Sequence, residues 1–272
     1  MRVNHSLLPM QDYHKSKRLT WDPQDIRLDL DRVDWPKRTP DEQESTLTLI
    51  SLFHAGEEAV THDLSPLLLA LRREGGHLEE EIFLTAQLFE ESRHFEFFDR
   101  WIDEVHGPGF EDAQRLGPSY CELFFRDLPA ALDRLLVDPS AAAQAEAVVI
   151  YHMIVEGVLA ETGYHSVFDS LQDQQVLPGL AEGMGYIKRD EARHIAFGVY
   201  LLQRLVQADG RIWDVVQAKM NEMLPKALGV VDESLAKFGD HIPYGIRMDD
   251  LLQFATSQYT ARMSAIQRAV VH

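Results

Sequence analysis

The sequence predicts an all-α protein built as a bundle of long helices. Apolar residues recur at helical spacing through stretches of about 25–30 residues, and Gly- or Pro-marked breaks separate those stretches. No hairpin signal or sustained two-residue alternation occurs along the chain. Long helices joined by short connections favour a bundle. Residues 1–38 are polar and punctuated by Pro23 and Pro36, and with Trp21 and Trp35 they read as an extended arm laid over the rest. Thr39-Pro40-Asp41-Glu42 starts the first helix: threonine caps free amides, proline suits the first turn, and Glu42 closes a capping box. Leu49, Ile50, Phe53, Val60, Leu64, Leu67 and Leu68 carry that pattern to about Leu71, before Gly75-Gly76. A second helix runs from about Leu78 to Val105 and stops at Gly107-Pro108-Gly109. A third covers about 118–136; Asp138-Pro139-Ser140 caps a fourth that reaches about Leu171. A fifth runs from about Pro178 to Leu205, and two more cover about 211–237 and 248–268. The expected organisation is one domain over 1–272, with metal-binding helices at 39–207 and further helices at 208–272.

Composition limits the function. The 272 residues are 45% hydrophobic and 26% charged, as in an ordinary globular protein that can bury a sizeable core. A net charge of −18 argues against nucleic acid or an anionic membrane surface as partner, because both need a cationic face. One cysteine, Cys121, excludes an internal disulfide and a cysteine-rich metal site, which suits a reducing cytoplasm. The first residues lack the apolar core of a signal peptide. The longest mostly apolar stretch, Ala145–Ala160, is interrupted by Glu146, His152 and Glu156, so no membrane span is expected.

Two segments carry the chemistry, Glu90-Glu91-Ser92-Arg93-His94 and Asp190-Glu191-Ala192-Arg193-His194. Residues three apart share a helix face, so each Glu-x-x-His offers a carboxylate and an imidazole to one ion. Alone this is weak: with 21 Glu and 12 His, chance predicts about one such pair, and the chain has three. Glu74–His77 falls on the double glycine and reads as a loop coincidence. The other two lie on apolar faces, where ionised glutamates are rarely buried without a partner or a metal. Each also follows a helix with an isolated glutamate on an apolar face, Glu57 and Glu156, at spacings of 34 and 35 residues. Two glutamates from two helices and two Glu-x-x-His pairs from two others are the ligand set of the ferritin-like dinuclear carboxylate bundle. Two cations offset the repulsion and desolvation of four carboxylates, and oxygen and imidazole donors suit iron or manganese. The competing reading makes the glutamates surface groups or ion-pair partners of Arg93 and Arg193. Glu58 and Glu90 point roughly 100° from their neighbours and read as solvent-facing or outer groups. His152 and His54 read as outer or core groups, and Cys121 as a packed small residue.

This ligand pattern is shared by ribonucleotide reductase small subunits, acyl-carrier-protein desaturases, bacterial multicomponent monooxygenases and ferritins. Reductase small subunits usually carry a radical tyrosine four residues after the first motif histidine, where this chain has Phe98. The stretches Ala55-Gly56-Glu57-Glu58-Ala59-Val60-Thr61, Tyr151-His152-Met153-Ile154-Val155-Glu156-Gly157 and Asp190–His194 closely resemble the ribonucleotide-reductase-small-subunit-like ligand-binding oxidases, from Trp21-Asp22-Pro23 to about Gln258. The resemblance implies a manganese/iron cofactor that activates molecular oxygen and performs two-electron C–H oxidation. It also implies a long-chain fatty acid held at the metals in a hydrophobic tunnel, and an ether cross-link between Val60 and Tyr151. Glu57, Glu91 and His94 would hold manganese, Glu156, Glu191 and His194 iron, with Glu91 bridging; two irons would accept the same ligands. Spacing places Val60 near Glu57 but supports Tyr151 less, since five residues turn an α-helix by about 140° net. A ribonucleotide reductase small subunit that lacks the radical tyrosine is the alternative. It requires a charge-transfer route to the surface, for which the sequence has no signal, and usually a long carboxyl-terminal tail, whereas this chain ends at His272. An iron-storage or ferroxidase protein would be a shorter four-helix chain. A homodimer is the expected assembly.

Overall fold

The capping box at Thr39 opens the first bundle helix: Thr39 Oγ1 accepts from the Glu42 N–H at 3.2 Å, and Glu42 Oε2 accepts from the Thr39 N–H at 2.8 Å. The computed structural model describes residues 2–269; the chain end at His272 lies outside them. All its regular elements among the described residues are helical. They are α1 (Leu8–Arg18), α2 (Asp29–Asp34), α3 (Pro40–Asp63), α4 (Ser65–Glu74) and α5 (Leu78–Trp101). α6 (residues 118–134), α7 (Ala141–Gln174), α8 (Pro178–Ala208), α9 (Ile212–Leu235) and α10 (Met248–Gln267) follow.

Three features differ from the sequence expectation. The amino-terminal arm does cover the bundle, packing on α5 and α8, but it is largely helical and not extended, because α1 and α2 form within it. The helix expected to reach Leu71 breaks at Leu64, since Pro66 has no N–H to continue the ladder and restarts the chain as α4. The centre of α7, Val149–Ala160, winds as a π-helix, with backbone bonds linking residues five apart. By length and hydropathy α7 could cross a membrane, yet 83% of its most apolar window is buried inside the fold, as in a core helix.

α3, α5, α7 and α8 surround the centre, and α9 and α10 pack over the π-helical part of α7. Gly198 allows α8 to come close to α7: a Cβ there would sit 2.3 Å from the His152 Cβ. The N-terminus of α8 carries no cap from its own sequence. It is held instead by Asp31 of the arm, which is fully buried and accepts from Gly179 N–H at 2.7 Å, Leu180 N–H at 2.8 Å and Trp101 Nε1 at 2.9 Å. One carboxylate thus ties the arm, α5 and α8 together.

Replacing Asp31 by Ala leaves three buried donors unpaired and is expected to cost about 2–3 kcal/mol. That corresponds to a Tm lower by roughly 5–10 °C in thermal unfolding. Asp31→Asn keeps an acceptor and loses less. An unchanged Tm in Asp31→Ala would show that the cap is dispensable.

Candidate metal centre

The six residues singled out by the repeated pattern converge at the middle of the bundle. Glu57 comes from α3, Glu91 and His94 from α5, Glu156 from the π-helical part of α7, and Glu191 and His194 from α8. None of the four glutamates is more than 6% exposed, and both histidines are fully buried. One donor atom each from Glu57, Glu91, His94 and Glu191 lies within 4.8 Å of the other three. The same holds for Glu91, Glu156, Glu191 and His194. Two overlapping donor sets therefore share two carboxylates. Glu191 was expected at the second set alone; it belongs to both, because its oxygens lie 3.2 Å from His94 Nδ1 and 3.5 Å from His194 Nδ1.

The donors fit cations better than they fit one another. His94 Nδ1, His194 Nδ1, Glu156 Oε2 and Glu191 Oε2 are buried without a hydrogen-bond partner among the described residues, although carboxylate oxygens approach both Nδ1 atoms at 3.2–3.6 Å. Burial pushes the Glu57 carboxyl up to about 8 and holds Glu156 well above the usual carboxylate range. Burial opposes charge on His94 and His194 too, but the surrounding carboxylates outweigh it and hold both well above an ordinary histidine. Without metal the cluster thus keeps protons that cations would displace. A set of carboxylate oxygens and imidazole nitrogens suits two iron or manganese ions.

The outer groups are arranged crosswise. His94 Nε2, from α5, faces Asp190 Oδ2 of α8 at 3.3 Å, while His194 Nε2, from α8, faces Glu90 Oε2 of α5 at 2.9 Å. Each imidazole is therefore oriented by the acid that precedes the other helix's glutamate, leaving Nδ1 for the centre. Arg93 and Arg193 do not pair with the central glutamates. Arg93 donates to Asp190 at 2.6 Å, and Arg193 to Glu90 at 2.5 Å and to Asp190 at 2.6 Å. Trp21 of the arm donates Nε1 to Asp190 Oδ2 at 2.8 Å, so a chain Trp21–Asp190–His94 runs outward from the cluster. Glu90 is buried and not solvent-facing, whereas Glu58 is exposed.

Gln87, one turn before Glu91, was missed in the sequence. Its amide donates to Glu91 Oε1 at 3.2 Å and Glu156 Oε1 at 3.1 Å, and its carbonyl faces His152 Nε2 at 3.3 Å. Its position on the Glu91 face was the available signal. Burial lowers His152 to about 3, which keeps it a neutral outer group. His54 lies elsewhere, against Asp112 at 2.7 Å, and Cys121 is exposed, not packed. Glu74 and His77 meet at the break between α4 and α5, away from the centre. Tyr151 donates its hydroxyl to Glu91 Oε1 at 2.8 Å. The π-helix explains this placement, because five-residue bonding brings Tyr151 and Glu156 onto one face where an α-helix would separate them. Phe98 packs on Phe53, ring centres 5.5 Å apart, with no phenol at that position.

An apolar tunnel of about 870 Å³, its open end included, reaches the four glutamates. One wall is a single stripe of α3, from Val60 and Glu57 through Phe53, Leu52 and Leu49 to Ser45; α7 and α9 supply most of the others, with Tyr120 and Phe124 of α6 and Leu251 of α10.

Two outcomes follow. Asp190→Asn is expected to weaken metal binding at the His94 side, and Glu90→Gln at the His194 side, each by roughly 10–100-fold in a metal titration. Equal affinities in all three proteins would contradict the crosswise bracing. Because the metal-free imidazoles hold protons at neutral pH, metal uptake is expected to release about one or more protons per metal and to tighten as pH rises. Calorimetry in buffers of different ionisation enthalpy reads this; uptake with no proton release would contradict it.

Residues 10–264 match the family model described as ribonucleotide reductase, small chain. The chain is similar to the solved structure of an R2-like ligand-binding oxidase with aerobically reconstituted Mn/Fe cofactor, at 35% identity and TM-score 0.92, covering 98% of this chain and 95% of that one. A valine-to-isoleucine variant of an R2-like ligand-binding oxidase, also with aerobically reconstituted Mn/Fe cofactor, gives 34% identity and TM-score 0.93 over 98% and 96% of the two chains. Another such oxidase, with its metal cofactor after photoconversion, gives 34% and 0.93 over 98% and 95%. With the fold, the six converging donors and a family match over most of its length, this chain belongs to the ribonucleotide reductase small chain family.

Proposed function

We propose that this chain, a dinuclear metal oxidoreductase, is an oxygen-activating manganese/iron oxidase that binds a long-chain fatty acid at its metals. Glu57, Glu91, Glu191 and His94 would hold manganese, and Glu91, Glu156, Glu191 and His194 would hold iron. The observation that carries the reading is the apolar tunnel opening onto the four glutamates. A storage site needs no long apolar channel, whereas an aliphatic ligand does. The resemblance to oxidases with an Mn/Fe cofactor supports the metal pair.

When bound, the two metals supply the redox capacity to reduce oxygen by two electrons at a time. The chain supplies the rest. Apolar walls keep water from the reacting C–H bond. Glu91 and Glu191, each in reach of both histidines, hold the two positions together. Tyr151 holds its proton against Glu91 Oε1, and burial beside that carboxylate keeps the phenol protonated, its pKa well above the usual tyrosine value. Val60 lines the tunnel one helical turn from Glu57. Joining the Val60 Cβ to the Tyr151 oxygen removes one hydrogen from each residue, and oxygen takes up the two electrons and two protons. We place the protein in the cytoplasm as a homodimer of single-domain subunits; one free thiol fits that compartment.

A tyrosine-free reductase small subunit is the second reading, and the Trp21–Asp190–His94 chain favours it, since such a subunit needs a route outward from the metals. The tunnel favours the oxidase.

The test is to load metal-free protein with manganese and iron in air, digest it and weigh the peptides containing Val60 and Tyr151. The expected product is one linked peptide, two hydrogens lighter than the pair and absent without oxygen. Separate, unmodified peptides from protein holding both metals would overturn the cross-link.

A further inference from the structure

The tunnel has a polar feature at the end away from the metals. Along α3 its lining runs from Glu57 to Ser45, twelve residues that rise about 18 Å. Five serine or threonine residues line it. Four of them donate to backbone carbonyls of their own helices: Thr48 to Glu44, Thr162 to Val158, Ser166 to Gly163 and Ser234 to Val231, at 2.6–2.8 Å. Such local bonds are the ordinary way a helix hides a hydroxyl. Ser45 is the exception. It is fully buried, and its Oγ has no hydrogen-bond partner among the described residues. A buried hydroxyl left unpaired is costly, and a purely aliphatic tail lying against it would leave it so.

We propose that Ser45 forms a second, polar subsite, and that the tunnel's natural occupant is a long-chain acid carrying a hydroxyl group at the end remote from its carboxylate. This rests on the reading of the tunnel as the site of a long-chain acid held at the metals, and it names the class of that acid. A hydroxyl matches the site because it both donates and accepts. Ser45 Oγ has both a proton to give and lone pairs to offer. A carboxylate would find a single free hydroxyl donor there, because the nearby cations Lys237 and Arg115 are already engaged by the Glu44 carboxylate. The separation of about 18 Å sets the chain length, because the terminal oxygen has to reach Ser45 while the carboxylate stays at the metals.

The test uses protein freed of copurified lipid and reloaded with manganese and iron. Equilibrium binding is compared for saturated acids from dodecanoate to octadecanoate and for their terminally hydroxylated counterparts, with the wild type and with Ser45→Ala. The wild type is expected to bind the hydroxylated chain of matching length about tenfold more tightly than the plain one. Ser45→Ala is expected to lose that preference, the ratio of the two affinities falling to about one with both metals still bound. Equal affinities in the wild type, or a preference that survives in Ser45→Ala, would overturn the polar subsite and leave the tunnel reading intact. Failure of every chain to bind would overturn the tunnel reading and the subsite with it.

Discussion

Four carboxylates held within a few ångströms of one another in a dry core constrain everything else in this fold. Each costs several kcal/mol to remove from water, roughly, and each raises the cost of ionising the others. The metal-free chain meets this with protons: Glu57 and Glu156 are pushed up by burial, and the surrounding carboxylates hold the two imidazoles protonated in spite of it. Two cations would meet it better, because they would satisfy the Nδ1 atoms and carboxylate oxygens that find no hydrogen-bond partner among the described residues. The bundle is therefore organised to present these groups to ions and to hold them there without water.

That holding is done by a surrounding frame. Asp190 braces the histidine of α5, Glu90 braces the histidine of α8, and two arginines neutralise both acids. Gln87 ties Glu91 to Glu156 across the centre. The arm completes the frame, with Trp21 on Asp190 and Asp31 at the start of α8. A long tunnel can then reach the metals from one side without loosening the ligands, because its walls come mainly from α3, α7 and α9 while the bracing lies between α5 and α8.

Much of this was legible in the sequence. The helices followed from apolar spacing, and the six central residues from a pattern that occurs twice with nearly equal spacing, which is a statement about helix faces. What stayed hidden depends on contacts between distant segments. Asp190 and Glu90 stand in plain view beside the ligands, but only the packing of α5 on α8 shows that each serves the other helix's histidine. Asp31 caps a helix 148 residues away, which no local signal encodes. The arm reads as extended because its prolines and polar residues hide two short helices that are stabilised by docking. Spacing alone supported Tyr151 too weakly for a different reason: angles were counted for an α-helix, and the segment is a π-helix. The tunnel is likewise a property of several helices together, although the α3 stripe that walls it was visible as apolar periodicity.

The central claim is that this cluster exists to hold two different metal ions. Anomalous diffraction from crystals of the aerobically loaded protein, recorded on both sides of the manganese and iron absorption edges, tests it most directly. The account predicts two peaks per chain, manganese among Glu57, Glu91, Glu191 and His94 and iron among Glu91, Glu156, Glu191 and His194. A single peak, or carboxylates paired with one another and no metal between them, would contradict it.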